Sequence, residues 1–218
     1  MKRGKIGLAL LELFMIVSAL VFLYPMFLVL INSFKTFGEV MRNVVALPEK
    51  LTLENYIYVW KFIDYPQLFL NNVIITVVGV AGIIALSSLA AYKLSRTGSR
   101  LSNILYLVCI LPMLVPFQSI MITVLKLAKD MGLSDSTWGL GVIYWGFGVP
   151  LAVFIYHGFV KGIPRELDES AMIDGASSFR TFGTIILPLL KPVTTTVIII
   201  DVMWIWNDFL LPLLMVNS

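Results

Sequence analysis

Glu166–Pro192, ELDESAMIDGASSFRTFGTIILPLLKP, carries five charged residues in its first fifteen positions, between two long apolar runs. Those flanking runs decide what the stretch is. The chain has 218 residues, 59% of them hydrophobic, 12% aromatic and only 13% charged, with a mean hydropathy of +0.92. That is more apolar surface than a soluble domain of this length buries, so lipid is the solvent the composition asks for. Five runs reach the roughly 20 residues that span a bilayer. They are residues 8–34, 68–92, 104–127, 138–160 and 193–216. In hydrocarbon every backbone polar group needs an internal partner, which leaves helices as the form of such runs. The expected class is all-α, a polytopic helical membrane protein with five transmembrane helices.

The formal charge of +3 sits in short clusters beside apolar runs. Membrane topology accounts for that pattern, so no nucleic-acid partner is expected. Cys109, the only cysteine, lies within an apolar run and offers neither a disulfide nor a metal site. Lys2, Arg3 and Lys5 precede the first run as in a signal peptide, but the run is too long for one and ends in Phe22-Leu23-Tyr24-Pro25-Met26-Phe27 without small residues. A retained anchor is expected.

Basic residues near the helix ends set the orientation. With residues 1–7 as a cytosolic tail, ten of the sixteen Lys and Arg fall inside: Lys2, Arg3, Lys5, Lys93, Arg96, Arg100, Lys161, Arg165, Arg180 and Lys191. The six outside are interspersed with acids, as where Lys35 and Arg42 flank Glu39 in the external loop 35–67. The segment 161–192 is then cytosolic. An odd number of spans leaves Ser218 outside directly after an apolar run, so a sixth span is expected to be missing at the C-terminus.

Within the cytosolic segment the residues spell two short helices and a break. Pro164 suits the first helical position, and Glu166, Asp168 and Glu169 set negative charge against the positive end of the helix dipole. Gly175 suits a C′ position with positive φ, and Ser177 or Ser178 can cap a second helix whose apolar face is Phe179, Phe182, Ile185 and Ile186. Pro188 and Pro192 end that helix before the fifth run. On the first helix Leu167, Ala171 and Gly175 share a face, small enough at two positions for close approach of a partner. An interfacial loop lying on headgroups would be richer in Lys and Arg; four acids here favour a protein partner.

Glu169-Ser170-Ala171, three residues, Gly175, nine residues, Ile185, one residue and Leu187-Pro188 resembles the EAA signature of permease subunits in bacterial ABC importers. Ser170, where that signature has alanine, is the one departure and stays small. Trp206-Asn207-Asp208-Phe209 and the order of tail, helix, external loop and core 68–218 are similar to the carbohydrate-uptake subfamily, in its maltose-type second permease subunit. The resemblance implies a bacterial inner (cell) membrane, multi-pass subunit with a cytoplasmic N-terminus, forming half of a sugar pathway. It implies a second permease subunit in a heterodimer, a dimer of cytosolic ABC ATPase, and an extracytoplasmic sugar-binding protein. It makes the 161–192 loop an ATPase-coupling device through Glu169, Ser170, Ala171, Asp174, Gly175, Ile185, Leu187 and Pro188. This chain would not be an enzyme and would bind no cofactor; ATP and Mg belong to the partner ATPase. Consistently, G-x-x-x-x-G-K-[ST] is absent from the sequence, and Gly139–Gly148 contains no lysine.

Intramembrane ionisable groups are costly and mark candidate pathways. Glu12 is near enough to the first run's cytosolic start to snorkel. Asp201 lies about 12 Å into the fifth run at helical rise. Asp201, Trp204 and Asp208, bordered by Asn207, form a stripe of carboxylates, amide and indole of the kind that holds sugars, while Asn72 at the outer start of the second run reads first as a polar cap and second as a pathway-lining residue. The same stripe would serve packing against a partner helix. His157, without companion ligands, reads as an interface residue, and Pro112 and Pro116 should kink the third run. No metal ligands group together. Two other readings stay open: an ion- or proton-driven secondary transporter, for which the inverted repeats are not evident, and a membrane scaffold docking a soluble partner.

Overall fold

The computed structural model describes residues 2–216, with side-chain environments for residues 7–216; Ser218, at the expected outer end, lies outside the described residues, as do the side chains of Lys2, Arg3 and Lys5. All regular structure among the described residues is helical. The chain divides into two compact units, 1–68 and 69–218.

The first unit holds α1 (Lys2–Ser33), α2 (Phe37–Arg42) and α3 (Glu54–Phe62). α1 is apolar on all sides and its side chains are exposed almost throughout, as a helix solvated by lipid or a partner must be. Thr36 starts α2 with a capping box: its hydroxyl accepts from the Glu39 N–H, and its own N–H donates to the Glu39 carboxylate. Charge balance between Lys35 and Glu39 is therefore not what the loop uses. Lys35 is buried, and its Nζ donates to Asn32 Oδ1 and to the carbonyls of Asn43 and Val44 at 3.0–3.3 Å. Asn55 Nδ2 bonds the carbonyls of Ser33 and Lys35, tying α3 back to the end of α1.

The second unit is built on α4 (Tyr65–Thr97), α7 (Thr137–Lys161) and α11 (Lys191–Asn207). α4 and α7 are each long and apolar enough to cross a bilayer, as is α1. Their packing accounts for Gly141 and Gly148 of the fourth run, where a Cβ would come within 2.8 Å of Val78 and 2.3 Å of Ile83, and for Gly82 on α4. A Cβ on Gly82 would lie 2.0 Å from the Trp145 ring, whose Nε1 donates to the Val78 carbonyl at 2.9 Å. Without the side chain the two helices close to the distance small residues permit in membranes. Ile83, Leu140, Tyr144, Val153, Tyr156, Val197 and Ile205 fill the buried seam.

Two of the five expected runs are not single straight helices. The third, 104–127, becomes α5 (Arg100–Ile110), a 3₁₀ turn over Leu111–Leu114, and α6 (Phe117–Asp130), with a bend of 106°. Pro112 and Pro116 remove two N–H donors within five residues, so the run breaks where a kink was expected. The fifth run, 193–216, stops at Asn207 and resumes as α12 (Leu210–Met215). Asp208 is extended there, and its Oδ1 accepts from the N–H of Leu210, the first residue of α12, at 3.1 Å. The Met215 carbonyl then accepts from the Asp135 N–H, which holds α12 to the turn preceding α7.

Between α7 and α11 lie α8 (Glu166–Ile173), α9 (Ser178–Thr181), a π-helical turn over Phe182–Ile186 and α10 (Leu187–Leu189). The segment from Ser178 to Leu189 meets α11 at 75°. Pro164 precedes α8 by two residues, since Arg165 is the N-cap. Pro192 opens α11 and does not terminate a helix; its missing N–H falls in a first turn that has no intrahelical acceptor for it. His157 is buried and stacked on Tyr106 at 3.9 Å between ring centres, so it packs α5 on α7 within the chain.

Candidate functional sites at the two ends of the helical core

At one end of the second unit, α8 is held by the last turns of α4. Asp168 is 4% exposed. Its Oδ1 accepts from the Tyr92 hydroxyl at 2.5 Å, and its Oδ2 lies 2.9 Å from Arg96 Nη2. No N–H is aligned on Oδ2, so that second contact is coulombic attraction between buried opposite charges. Removing one member of such a pair strands the other, at a cost of about 3–5 kcal/mol. Arg96 Nη1 also donates to the Ile163 carbonyl at 3.1 Å, and Tyr92 packs its ring on Phe182. A cavity of about 320 Å³ opens beside these groups, lined also by Lys93, Arg165, Glu169 and Met172.

The face expected from Leu167, Ala171 and Gly175 is divided. Ala171 is 5% exposed and turns inward with Asp168, so the α8 surface open to a partner is Glu166, Glu169, Ser170 and Asp174, with Met172 and Ile173. Ile173 is 87% exposed and Phe179 74%. Gly175 has φ +78°, and a Cβ there would meet nothing within 4 Å, so conformation and not crowding is what calls for glycine. Ser177 caps α9 by accepting from the Arg180 N–H. Of the second helix's expected apolar face, Phe182 and Ile186 are buried, Ile185 is half-buried and Phe179 points out. Leu187 and Pro188 are exposed at the start of α10.

At the other end, a cavity of about 230 Å³ is bounded by Phe117, Gln118, Phe147, Trp204, Asp208 and Leu211. Asp208 Oδ2 accepts from the Tyr144 hydroxyl at 2.8 Å, and the Tyr144 ring meets Trp204 edge-on. The stripe on the fifth run is thus split. Trp204 and Asp208 line the cavity, whereas Asp201 is 3% exposed and sits against Gly148, where a Cβ would come within 3.2 Å of its Oδ1. Asn207 is exposed and donates back to the Met203 carbonyl of its own helix. Asn72 is half-buried in the first turns of α4. Among the described residues no group of His, Cys, Asp and Glu is placed to hold a metal ion.

Several contributors escape sequence reading. Phe117 and Gln118 reach the cavity because the third run folds over at its prolines, bringing them to Phe147 of α7, and Tyr144 gives no sign of pairing with Asp208 sixty-four residues away. Arg96 and Asp168 counted as a topology signal and a helix-dipole charge. Their opposite signs at the same membrane side were the one available hint that they pair.

Residues 83–218 match the family described as "Binding-protein-dependent transport system inner membrane component". The chain is 45% identical to the "Probable starch degradation products transport system permease protein AmyC" of Thermoanaerobacterium thermosulfurigenes, over 93% of this chain and 74% of that one. It is 38% identical to the "Multiple sugar-binding transport system permease protein MsmG" of Streptococcus mutans, over 93% and 73%. It is 33% identical to the "Melibiose/raffinose/stachyose import permease protein MelC" of Bacillus subtilis, over 85% and 67%. The fold also superposes, with a TM-score of 0.88 at 20% identity, on a chain of a bacterial ABC transporter involved in the import of the acidic polysaccharide alginate, covering all of this chain and 77% of that one. The chain therefore belongs to the inner-membrane components of binding-protein-dependent transport systems, as a multi-pass ABC permease subunit.

Proposed function

We propose that this subunit forms half of the translocation pathway for a sugar or oligosaccharide, with its N-terminus in the cytoplasm, and couples it to ATP hydrolysis by a partner ATPase. The observation that carries the reading is α8. It is a short acidic helix gripped on one side by Asp168 and Ala171, and it offers Glu169, Ser170, Met172 and Ile173 on the other, where a soluble protein could cover exposed apolar side chains. Glu169, Ser170, Ala171, Asp174, Gly175, Ile185, Leu187 and Pro188 are assigned to this coupling segment. Of these, Ala171 supports α8 from behind and Gly175 sets the turn after it.

A sugar is favoured at the opposite cavity by its chemistry. Trp204, Phe117 and Phe147 supply aromatic faces for C–H surfaces, and Gln118 and Asp208 supply directional polar groups for hydroxyls. Its volume is below the roughly 300–1,000 Å³ usual for small-molecule pockets, which fits half of a site completed by a second permease subunit. An extracytoplasmic binding protein would deliver the substrate, and ATP and Mg would be held by an ATPase dimer. Relatives named for transport of starch degradation products, of multiple sugars and of melibiose, raffinose and stachyose support the same substrate class.

The test is purification from native membranes through a tag on this chain. An ATPase should accompany the unaltered chain, and Gly175→Val should lose it while still inserting in the membrane. Recovery of the tagged chain without any ATPase would refute the reading.

A further inference from the structure

We infer that Asp168 is a positioning residue that locks α8 to the end of α4, so that a displacement imposed on α8 moves α4 with it as one body. The inference rests on the docking role proposed for α8 and adds the route by which force leaves it.

α8 spans eight residues, too few to be stable on its own. It reaches α7 only through residues 162–165, which include Gly162 and Pro164, and it is followed by Gly175 in a left-handed turn. A short helix strung between two such breaks would swivel under load if covalent linkage were all that held it.

The missing constraint comes from α4. Tyr92 and Arg96 are one turn apart on the same face, and both contact the Asp168 carboxylate. Arg96 continues to the Ile163 carbonyl, ahead of α8, and the Tyr92 ring rests on Phe182, beyond it. Two side chains of α4 therefore hold the helix and both of its flanks. A further contact, from Arg165 Nη2 to the Ser95 carbonyl at 3.5 Å, lies on the same seam.

α4 is 33 residues long, about 50 Å at helical rise, and so runs the full depth of the membrane. About midway along it Gly79 faces Ile205 and Tyr144, the latter the partner of Asp208 at the opposite cavity. The lock thus gives α8 a rigid connection to the helix that backs the aromatic cavity.

The test uses the complex purified through a tag on this chain and reconstituted in liposomes, with substrate uptake and ATP hydrolysis measured together. Asp168→Asn and Arg96→Gln should each keep the ATPase bound yet move about ten-fold less substrate per ATP, and the double variant should be no worse than either single, because both changes remove the same link. A normal ratio in both single variants overturns the proposal. Loss of the ATPase from Asp168→Asn, as from Gly175→Val, also overturns it by assigning Asp168 to the docking surface. Retention of the ATPase by Gly175→Val would instead count against the docking reading itself. Spin labels at Thr97→Cys and Met172→Cys in a Cys109→Ala background test the lock without removing it. Their separation should stay constant between nucleotide-free and ATP-trapped complexes, and a change of about one helical turn, ~5 Å, would overturn it.

Discussion

Gly175 and Asp208 show how much single positions fix in this chain. At Gly175 the open space around the Cα and the φ of +78° separate conformational strain from collision. Gly175→Asn should therefore stay close to normal, because Asn tolerates the left-handed region, whereas Gly175→Val should cost about 1–2 kcal/mol in the turn and release the ATPase during purification. Equal loss from both variants would mean that a partner's backbone, and not φ, demands glycine. Asp208 serves two donors, the Tyr144 hydroxyl and the Leu210 N–H. Asp208→Ala should destabilise the solubilised protein by about 1–3 kcal/mol through the stranded Tyr144 hydroxyl, with Asp208→Asn milder. Asn207→Ala, which gives up only a bond to its own helix, should leave both melting temperature and uptake close to normal. A larger uptake defect for Asn207→Ala than for Asp208→Asn would remove the cavity from the pathway.

At the level of elements, close contact between α4 and α7 depends on which glycine is changed. Gly82→Ala drives a methyl into the Trp145 ring and should lower stability by about 1–3 kcal/mol, seen as a fall of several degrees in melting temperature. Gly146→Ala meets nothing within 4 Å and should be neutral or slightly stabilising through helix propensity. Matching losses at the two positions would contradict the packing described here. The apolar runs and the Glu166–Gly175 helix with its glycine stop were legible because length, capping and dipole charges are local properties. The breaks were less so. Pro112 and Pro116 announced a disturbance, but its 106° bend follows from what α5 and α6 pack against. Nothing local to Trp206-Asn207-Asp208-Phe209 reveals that α11 ends there to give Asp208 an inward role. The inward turn of Ala171 was hidden for the same reason, because it is set by Asp168 finding Arg96 and Tyr92 across the fold.

For the whole molecule, the distribution of basic residues and the placement of α8 make one statement about sidedness. In the orientation proposed, the turn before α7 faces outside and the α8–α9 segment inside. In a Cys109→Ala background, Ser134→Cys should react with a membrane-impermeant thiol reagent in intact cells, and Ser178→Cys only after permeabilisation. The reverse pattern would invert the topology and put the exposed Ile173 and Phe179 on the wrong side for a cytosolic ATPase. The central claim, that ATP hydrolysis by a partner drives substrate through this subunit, is met most directly in liposomes. The complex purified through this chain is reconstituted with Mg-ATP enclosed and with labelled oligosaccharide and its binding protein outside. Uptake should require the enclosed ATP and be unaffected when the proton gradient is collapsed. Uptake without ATP, driven by an imposed proton gradient, would contradict the account.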